Sequence, residues 1–250
     1  GVPCATVFSA GYAELGTAEG RERQHALSAF ARSSGMRIMG PNCNGFVSYV
    51  DGFALTATAG LAHPRATAGS VGIVAQSGGL GQINVMWRAQ QLGIGVSYQV
   101  SCGNEADLDV CDFARWMIDG DATDVVLMAL EAIRDGAKLA ELAAHAGARR
   151  KPIVMLKFGR TDEGRRAALS HTGAMTGSDE VHDAALRQLG IIRVDDCDEL
   201  CAMAMLLRTR KLPRGRRVAS LSLSGGNVVQ LADAGARVGL EWSDYVPATR

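Results

Sequence analysis

The chain is poor in aromatics, in proline and in surplus charge. Only 5% of its 250 residues are Phe, Trp or Tyr, six are Pro, and 26 Lys and Arg balance 26 Asp and Glu. Formal neutrality leaves no basic field for a nucleic-acid backbone or an anionic membrane surface, so neither is expected as a partner. Same-sign clusters are short: Arg149-Arg150-Lys151 and the stretch 208–217 read as solvated surface. No apolar run approaches the roughly 20 residues of a spanning helix, and no signal-peptide pattern is visible. The six cysteines contain no CxxC pair. Cys4, Cys43, Cys102, Cys111, Cys197 and Cys201 are scattered, unlike a compact disulfide framework, so reduced thiols and a cytoplasmic setting are expected. Cys197 and Cys201 stand four apart on an expected helix without nearby partner ligands, which suits core residues better than a metal pair. No protein-held metal site is expected. The chain starts at Gly1 rather than Met, and 244–250 does not round off a domain, so an excerpt of a longer polypeptide is expected.

Apolar residues make up 47% of the chain and glycine supplies 30 positions, a composition that fits an α/β protein. Residues 2–9 read as a strand, 21–33 as a helix and 36–40 as a strand broken at Pro41, the tail of an open parallel sheet. Pro41-Asn42-Cys43-Asn44-Gly45 is then a rigid turn at a strand's carboxyl end. It reads as a ligand loop or as a plain Asn/Gly turn. Residues 57–70, rich in Ala, Thr, Gly and Pro, read as a connection. A strand at 71–75 leads into Gln76-Ser77-Gly78-Gly79-Leu80-Gly81 and a helix to about 91. Strand, glycine loop and helix aim backbone N–H groups at an anion. The spacing is neither Walker A nor GxGxxG, and tight strand-to-helix packing explains it equally well.

Strands follow at 95–101, 124–130 and 152–158, with helices at 109–118 and 137–146 between and after them. Cys102-Gly103-Asn104-Glu105 leaves the first, Glu131 the second, and Lys157, Gly159 and Arg160 the third. This alternation specifies a doubly wound, flavodoxin-like parallel sheet, with Ser77, Asn104 and Glu131 on one edge. From the last strand leads Leu169-Ser170-His171-Thr172-Gly173-Ala174-Met175-Thr176-Gly177-Ser178-Asp179-Glu180. Ser178 is the expected N-cap of a helix whose face carries Val181, Ala184, Ala185 and Leu189. Among small neighbours, the His171 imidazole is open to a phosphate or acyl group and titrates near neutrality, as a nucleophile requires. A surface histidine with one hydrogen bond is the other reading. His182, inside the following helix, reads as structural. A strand at 191–194 and a helix at 198–208, with Leu200, Ala204 and Leu207 on one face, precede a break at Lys211-Leu212-Pro213-Arg214-Gly215. A strand at 218–223, then Ser224-Gly225-Gly226-Asn227 and a helix to about 238, repeat the 71–91 arrangement and begin a second flavodoxin-like unit.

Five stretches together resemble the NDP-forming acyl-CoA synthetases, the ADP-forming acetate–CoA ligase branch of the succinyl-CoA synthetase superfamily. They are Ser9-Ala10-Gly11-Tyr12 through Glu14, Gly40 through Gly45, Gln76 through Gly79, Ser101 through Asp107, and Ser170 through Ala174, in the family's order over nearly all the chain. The resemblance implies an acid–CoA ligase that interconverts acyl-CoA, ADP and phosphate with carboxylic acid, CoA and ATP. His171 would be the phosphorylated histidine and Glu131 the carboxylate that orients it. Ser77, Gly78 and Gly79 would begin one phosphate-binding helix, and Gly225 and Gly226 a second. Asn42 and Cys43, with Asn104, would lie near the thiol end of CoA. The implied domains are the end of a CoA-binding, Rossmann-like domain at 1–56, a linker at 57–70, the phosphohistidine domain at 71–212 and a further ligase domain from 213 to 250. The glycine-rich start of the CoA domain and an ATP-grasp module for ATP/ADP with Mg²⁺ are expected elsewhere in the polypeptide or on a partner subunit, within an oligomer. Fusions in this family that act as protein acetyltransferases lose the histidine, which this chain keeps. A non-catalytic acyl-CoA or nucleotide sensor, or a plain flavodoxin-like binding module, are the other classes open; scarce aromatics argue against flavin stacking.

Overall fold

The structure, a computed structural model, describes residues 1–58, 67–164, 166, 178–209 and 213–243. It divides into two compact units, Gly1–Thr209 and Arg210–Arg250. The first begins with β1 (Cys4–Thr6), α1 (Ala18–Ser34) and β2 (Arg37–Met39), the two strands pairing in parallel. The side chain of Thr17 caps α1 by accepting from the Gly20 N–H, and Gly35, at φ 71°, ends it in the left-handed conformation that glycine adopts without a Cβ penalty.

A hairpin of β3 (Gly45–Ser48) and β4 (Phe53–Thr56) follows, then β5 (Ala68–Ala75). Next come a π-helical turn at Gly79–Val85, α2 (Met86–Gln91), β6 (Val96–Ser101), α3 (Val110–Asp119), β7 (Val125–Leu130) and α4 (Gly136–Arg149). The unit closes with β8 (Ile153–Lys157), α5 (Asp179–Gln188), β9 (Ile192–Val194) and α6 (Cys197–Leu207). Seven strands form one sheet in the order β4-β3-β6-β5-β7-β8-β9. The run from β6 to β9 is parallel, whereas β3 is antiparallel to both its neighbours.

Every residue of β7 is buried, because helices cover both faces. Val126, Met128 and Leu130 pack with residues of α3 and α4 on one face. Val125, Leu127 and Ala129 pack with α2 and α6 on the other, the period-2 alternation of a strand. Leu200, Cys201, Ala204 and Leu207 form the buried stripe of α6, so Cys201 is a core residue. Register places Ala75 beside Ser101 and Ala129, and Leu130 beside Lys157. Four chains therefore leave the sheet level with one another, at the edge where open α/β sheets hold ligands. Among the described residues no helix is long and apolar enough to cross a membrane.

Several expectations need correction. Residues 45–56, assigned from the sequence to the preceding domain, add two antiparallel strands to the main sheet instead. The expected linker at 57–70 ends early, since β5 begins at Ala68. On α5 it is Leu186 that is buried, with Leu189 packed beside the core, while Val181, Ala184 and Ala185 are exposed. The expected strand at 218–223 shrinks to β10 (Arg217–Val218), which pairs in parallel with β11 (Glu241–Trp242) across α7 (Gly225–Arg237) in the second unit.

Candidate active site

The sheet's carboxyl edge carries a polar cleft of about 170 Å³ lined by Asn42, Asn44, Gln76, Ser77, Gly78, Gly79, Gly103, Asn104 and Glu131. Three loops are laced together to make it. The Asn104 N–H donates to the Pro41 carbonyl at 2.9 Å, the Ala106 N–H to that of Gly40 at 2.9 Å, and the Gly103 N–H to that of Gln76 at 3.0 Å. This close lacing explains the residue types. A Cβ at Gly103 would meet the Pro41 carbonyl oxygen at 2.2 Å, and one at Gly78 would meet Asn44 Nδ2 at 2.0 Å. Asn42 sits at φ 54°, a left-handed conformation that asparagine tolerates better than most residues. Gly79, in contrast, faces open space within 4 Å and starts the helical turn. The first N–H groups of such a turn lack intrahelical partners and favour an anion.

Asn104 is held on every side. Its Nδ2 donates to Gln24 Oε1 at 3.0 Å and to Glu14 Oε2, and its Oδ1 accepts from Asn42 Nδ2 at 3.2 Å. Partial burial raises the Glu14 carboxyl, but hydrogen bonds from Asn104 and from the Gly11 and Tyr12 N–H groups outweigh it and leave its pKa lowered. Gln76, 5% exposed, works as a clamp. Its Oε1 accepts from the N–H groups of Glu131 (2.8 Å) and Ala132 (3.0 Å). Its Nε2 donates to the Ala132 carbonyl (2.9 Å) and to Glu105 Oε2 (2.8 Å). Glu105 also accepts from Val110 N–H at 3.0 Å and from Arg134 Nε at 2.8 Å. Burial raises the Glu105 pKa, against the opposing pull of Arg134.

Lys157, at the end of β8, is 2% exposed. Its Nζ donates to the Glu131 carbonyl at 2.7 Å and to the carbonyl of Phe158. Burial first, then the nearby Arg193 guanidinium, brings this ammonium down to about 8, while Asp179 and Glu131 pull it up. Arg193 pairs in turn with Asp179 and, at 3.6 Å, with Asp183 on α5. Burial, Lys157 and Arg193 together lower the pKa of His182.

Of the residues singled out in the sequence, Asn42, Ser77, Gly78, Gly79, Asn104 and Glu131 meet at this cleft. Cys43 is not brought to it. The thiol is 3% exposed and donates to the Val7 carbonyl at 3.4 Å, and burial pushes its pKa up. His171 lies outside the described residues. Gly225 and Gly226 begin α7 in the second unit. Sequence reasoning missed the clamp of Gln76, the wall made by Asn44 and the buried ammonium of Lys157. The one available signal for Lys157 was a lysine closing an otherwise apolar strand.

Residues 68–207 match the family described as succinyl-CoA ligase like flavodoxin domain. The chain is 34% identical over 249 residues to the acetate–CoA ligase [ADP-forming] II subunit alpha of Pyrococcus furiosus, covering 100% of this chain and 52% of that one. It is 36% identical over 241 residues to acetate–CoA ligase [ADP-forming] I of Archaeoglobus fulgidus, covering 96% of this chain and 34% of the relative. Among solved structures it resembles the dinucleotide forming acetyl-coenzyme A synthetase 1 of Ca. Korarchaeum cryptofilum in complex with phosphate and ADP. That TM-score is 0.87 at 33% identity, over 98% of this chain and 51% of the other. The chain thus spans about half the length of these relatives or less. With the match running from β5 through α6, over more than half of its residues, the chain belongs to the succinyl-CoA ligase-like flavodoxin domain family.

Proposed function

We propose that this chain is the phosphohistidine-bearing part of an ADP-forming acid–CoA ligase. The observation that carries the reading is the polar cleft in which Glu131 and the Ser77-Gly78-Gly79 turn face one another at the sheet edge. Such a cleft suits a small anion: N–H donors and the partial positive charge of a helix start on one side, a carboxylate to orient a base on the other. That a similar protein of known structure was solved with phosphate and ADP supports the choice of anion.

In the proposed sequence, a phosphate oxygen attacks the acyl-CoA thioester carbon, the C–S bond breaks, and CoA leaves as the thiol. The resulting acyl phosphate is held at 77–79. One imidazole nitrogen of His171 attacks its phosphorus, and the carboxylic acid leaves as its anion. Glu131 accepts a hydrogen bond from the N–H of the other ring nitrogen, which fixes the tautomer and stabilises the charge that grows on the ring. Phosphohistidine then passes its phosphoryl group to ADP, which arrives with Mg²⁺ on an ATP-grasp module. Gly225 and Gly226, which begin α7, would offer a second set of helix-start N–H donors to a phosphate. Asn42 and Asn104 shape the CoA side of the cleft. Catalysis is by positioning and electrostatic stabilisation.

The test is to incubate the full-length polypeptide, with any ATP-grasp partner, with γ-labelled ATP and Mg²⁺. An acid-labile, base-stable label mapped to His171, discharged by ADP or by acid plus CoA, is the expected result. A folded protein that binds CoA but takes no label would overturn this reading in favour of a sensor.

A further inference from the structure

The peptide of Glu131 is gripped at both ends by side chains from the two strands flanking β7. Gln76, following β5, accepts its N–H, and Lys157, ending β8, donates to its carbonyl. A buried lysine is an expensive way to hold main-chain carbonyls, here those of Glu131 and Phe158. A glutamine or a serine would do so without the cost of taking an ammonium out of water. Around Lys157 stand Glu131 at the end of β7, Arg193 on β9, and Asp179 and His182 on α5. Arg193 is already paired with Asp179 and Asp183. Lys157 is the cation of this group whose hydrogen bonds run to the Glu131 main chain.

We propose that Lys157 is a positioning residue for phosphoryl transfer: its buried ammonium anchors the Glu131 main chain and sets positive charge behind the carboxylate that orients His171. The inference rests on the phosphohistidine reading above. The chemistry asks for such a charge. Transfer brings a phosphoryl group against a ring already paired with a carboxylate, so negative charge gathers at one point. A fixed cation bound to the Glu131 main chain offsets it from outside the cleft lining, and in a dry site such a charge counts for more than it would in water. Because it ionises within reach of ordinary assay conditions, its effect should be present below about pH 8 and fade above it.

Phosphoenzyme formation by the full-length protein, measured from pH 6 to pH 10 in single-turnover experiments, tests this. In the unaltered protein the rate should fall on the alkaline side with a midpoint near 8. Lys157→Gln keeps a donor for the Glu131 carbonyl and removes the charge. It should form phosphoenzyme about tenfold or more slowly at pH 7 and lose the alkaline limb. Lys157→Arg should recover part of the rate and carry the limb to higher pH. A merely structural lysine would lower the melting temperature without moving the limb. An unchanged limb in Lys157→Gln overturns the proposal, as does a flat profile in the unaltered protein, which decides the matter even if a variant fails to fold. Failure of the unaltered protein to take label at all would instead strike the phosphohistidine reading itself.

Discussion

Two adjacent glycines in the cleft serve different ends. At Gly78 a Cβ would sit 2.0 Å from the Asn44 side chain, whereas at Gly79 it would meet nothing within 4 Å. Gly78→Ala should therefore destabilise the fold by about 1–3 kcal/mol through overpacking, read as a lower urea midpoint. Gly79→Ala should leave the midpoint within about 0.5 kcal/mol. Its methyl group projects from the turn proposed to hold phosphate, so it should still weaken phosphoenzyme formation. Loss of stability in both, or in neither, would contradict this division. His171→Asn should abolish label with the melting curve intact, and Glu131→Gln should slow labelling by about 100-fold or more, because the charged partner that fixes the ring's tautomer is lost. An unchanged rate in Glu131→Gln would remove that carboxylate from the mechanism. At this scale the sequence was readable where side chains sit on loops at the sheet edge. The strand-end rule brought Ser77, Asn104 and Glu131 together before any coordinates. Cys43, which the resemblance places near the thiol end of CoA, turns its thiol inward to Val7, because a turn residue next to Asn42 can point either way. The strand-end rule could not find the roles of Gln76 or Lys157, since a buried clamp leaves no spacing pattern to read.

Helices are the elements whose ends the sequence marked best. Asp109 caps α3 by accepting from the Cys111 and Asp112 N–H groups, and Asp112 returns a bond to the Asp109 N–H. Lys138 on α4 reaches both carboxylates, at 2.9 and 2.7 Å, and so staples the two helices. Burial raises the Asp112 pKa, but the Asp109 N–H and Lys138 outweigh it and hold it below its ordinary 3.8. A carboxyl whose folded pKa is depressed adds stability above its unfolded pKa and loses it as pH falls through the folded one. Asp112→Asn should then cost about 1 kcal/mol at pH 7, and the gap between mutant and parent should close as pH drops below about 4. Urea midpoints at pH 7 and pH 3 give the check; a gap that persists at pH 3 would mean that charge is not the source. The central strands were legible for a related reason. In β5, β7 and β8 burial on both faces demands continuous apolar runs, which few other structures tolerate. The hairpin of β3 and β4 was not, because its four-residue strands lie at the sheet margin, and the exposed Phe53 and Leu55 of β4 give no clean alternation. The face of α5 was misread because Val181 and the alanines at 184 and 185 satisfy a helical period that the core does not use.

As a whole, the chain carries one well-developed core, in its first unit. The first unit has a seven-stranded sheet covered on both faces. Among its described residues the second has two strands of two residues and one helix, in which Gly235 is buried. Leu221 and Leu223 are fully exposed, and Val229 on α7 is 63% exposed. A segment of this size buries too little apolar surface to offset the entropy of ordering it. A chain ending at Thr209 should consequently unfold in a single cooperative transition by circular dichroism. The peptide 210–250 alone should show only a gradual, non-cooperative loss of signal. The exposed leucines fit that expectation, since they add nothing to a core of this unit. A sharp transition in the isolated peptide would show instead that α7 and its two strands form a self-sufficient fold.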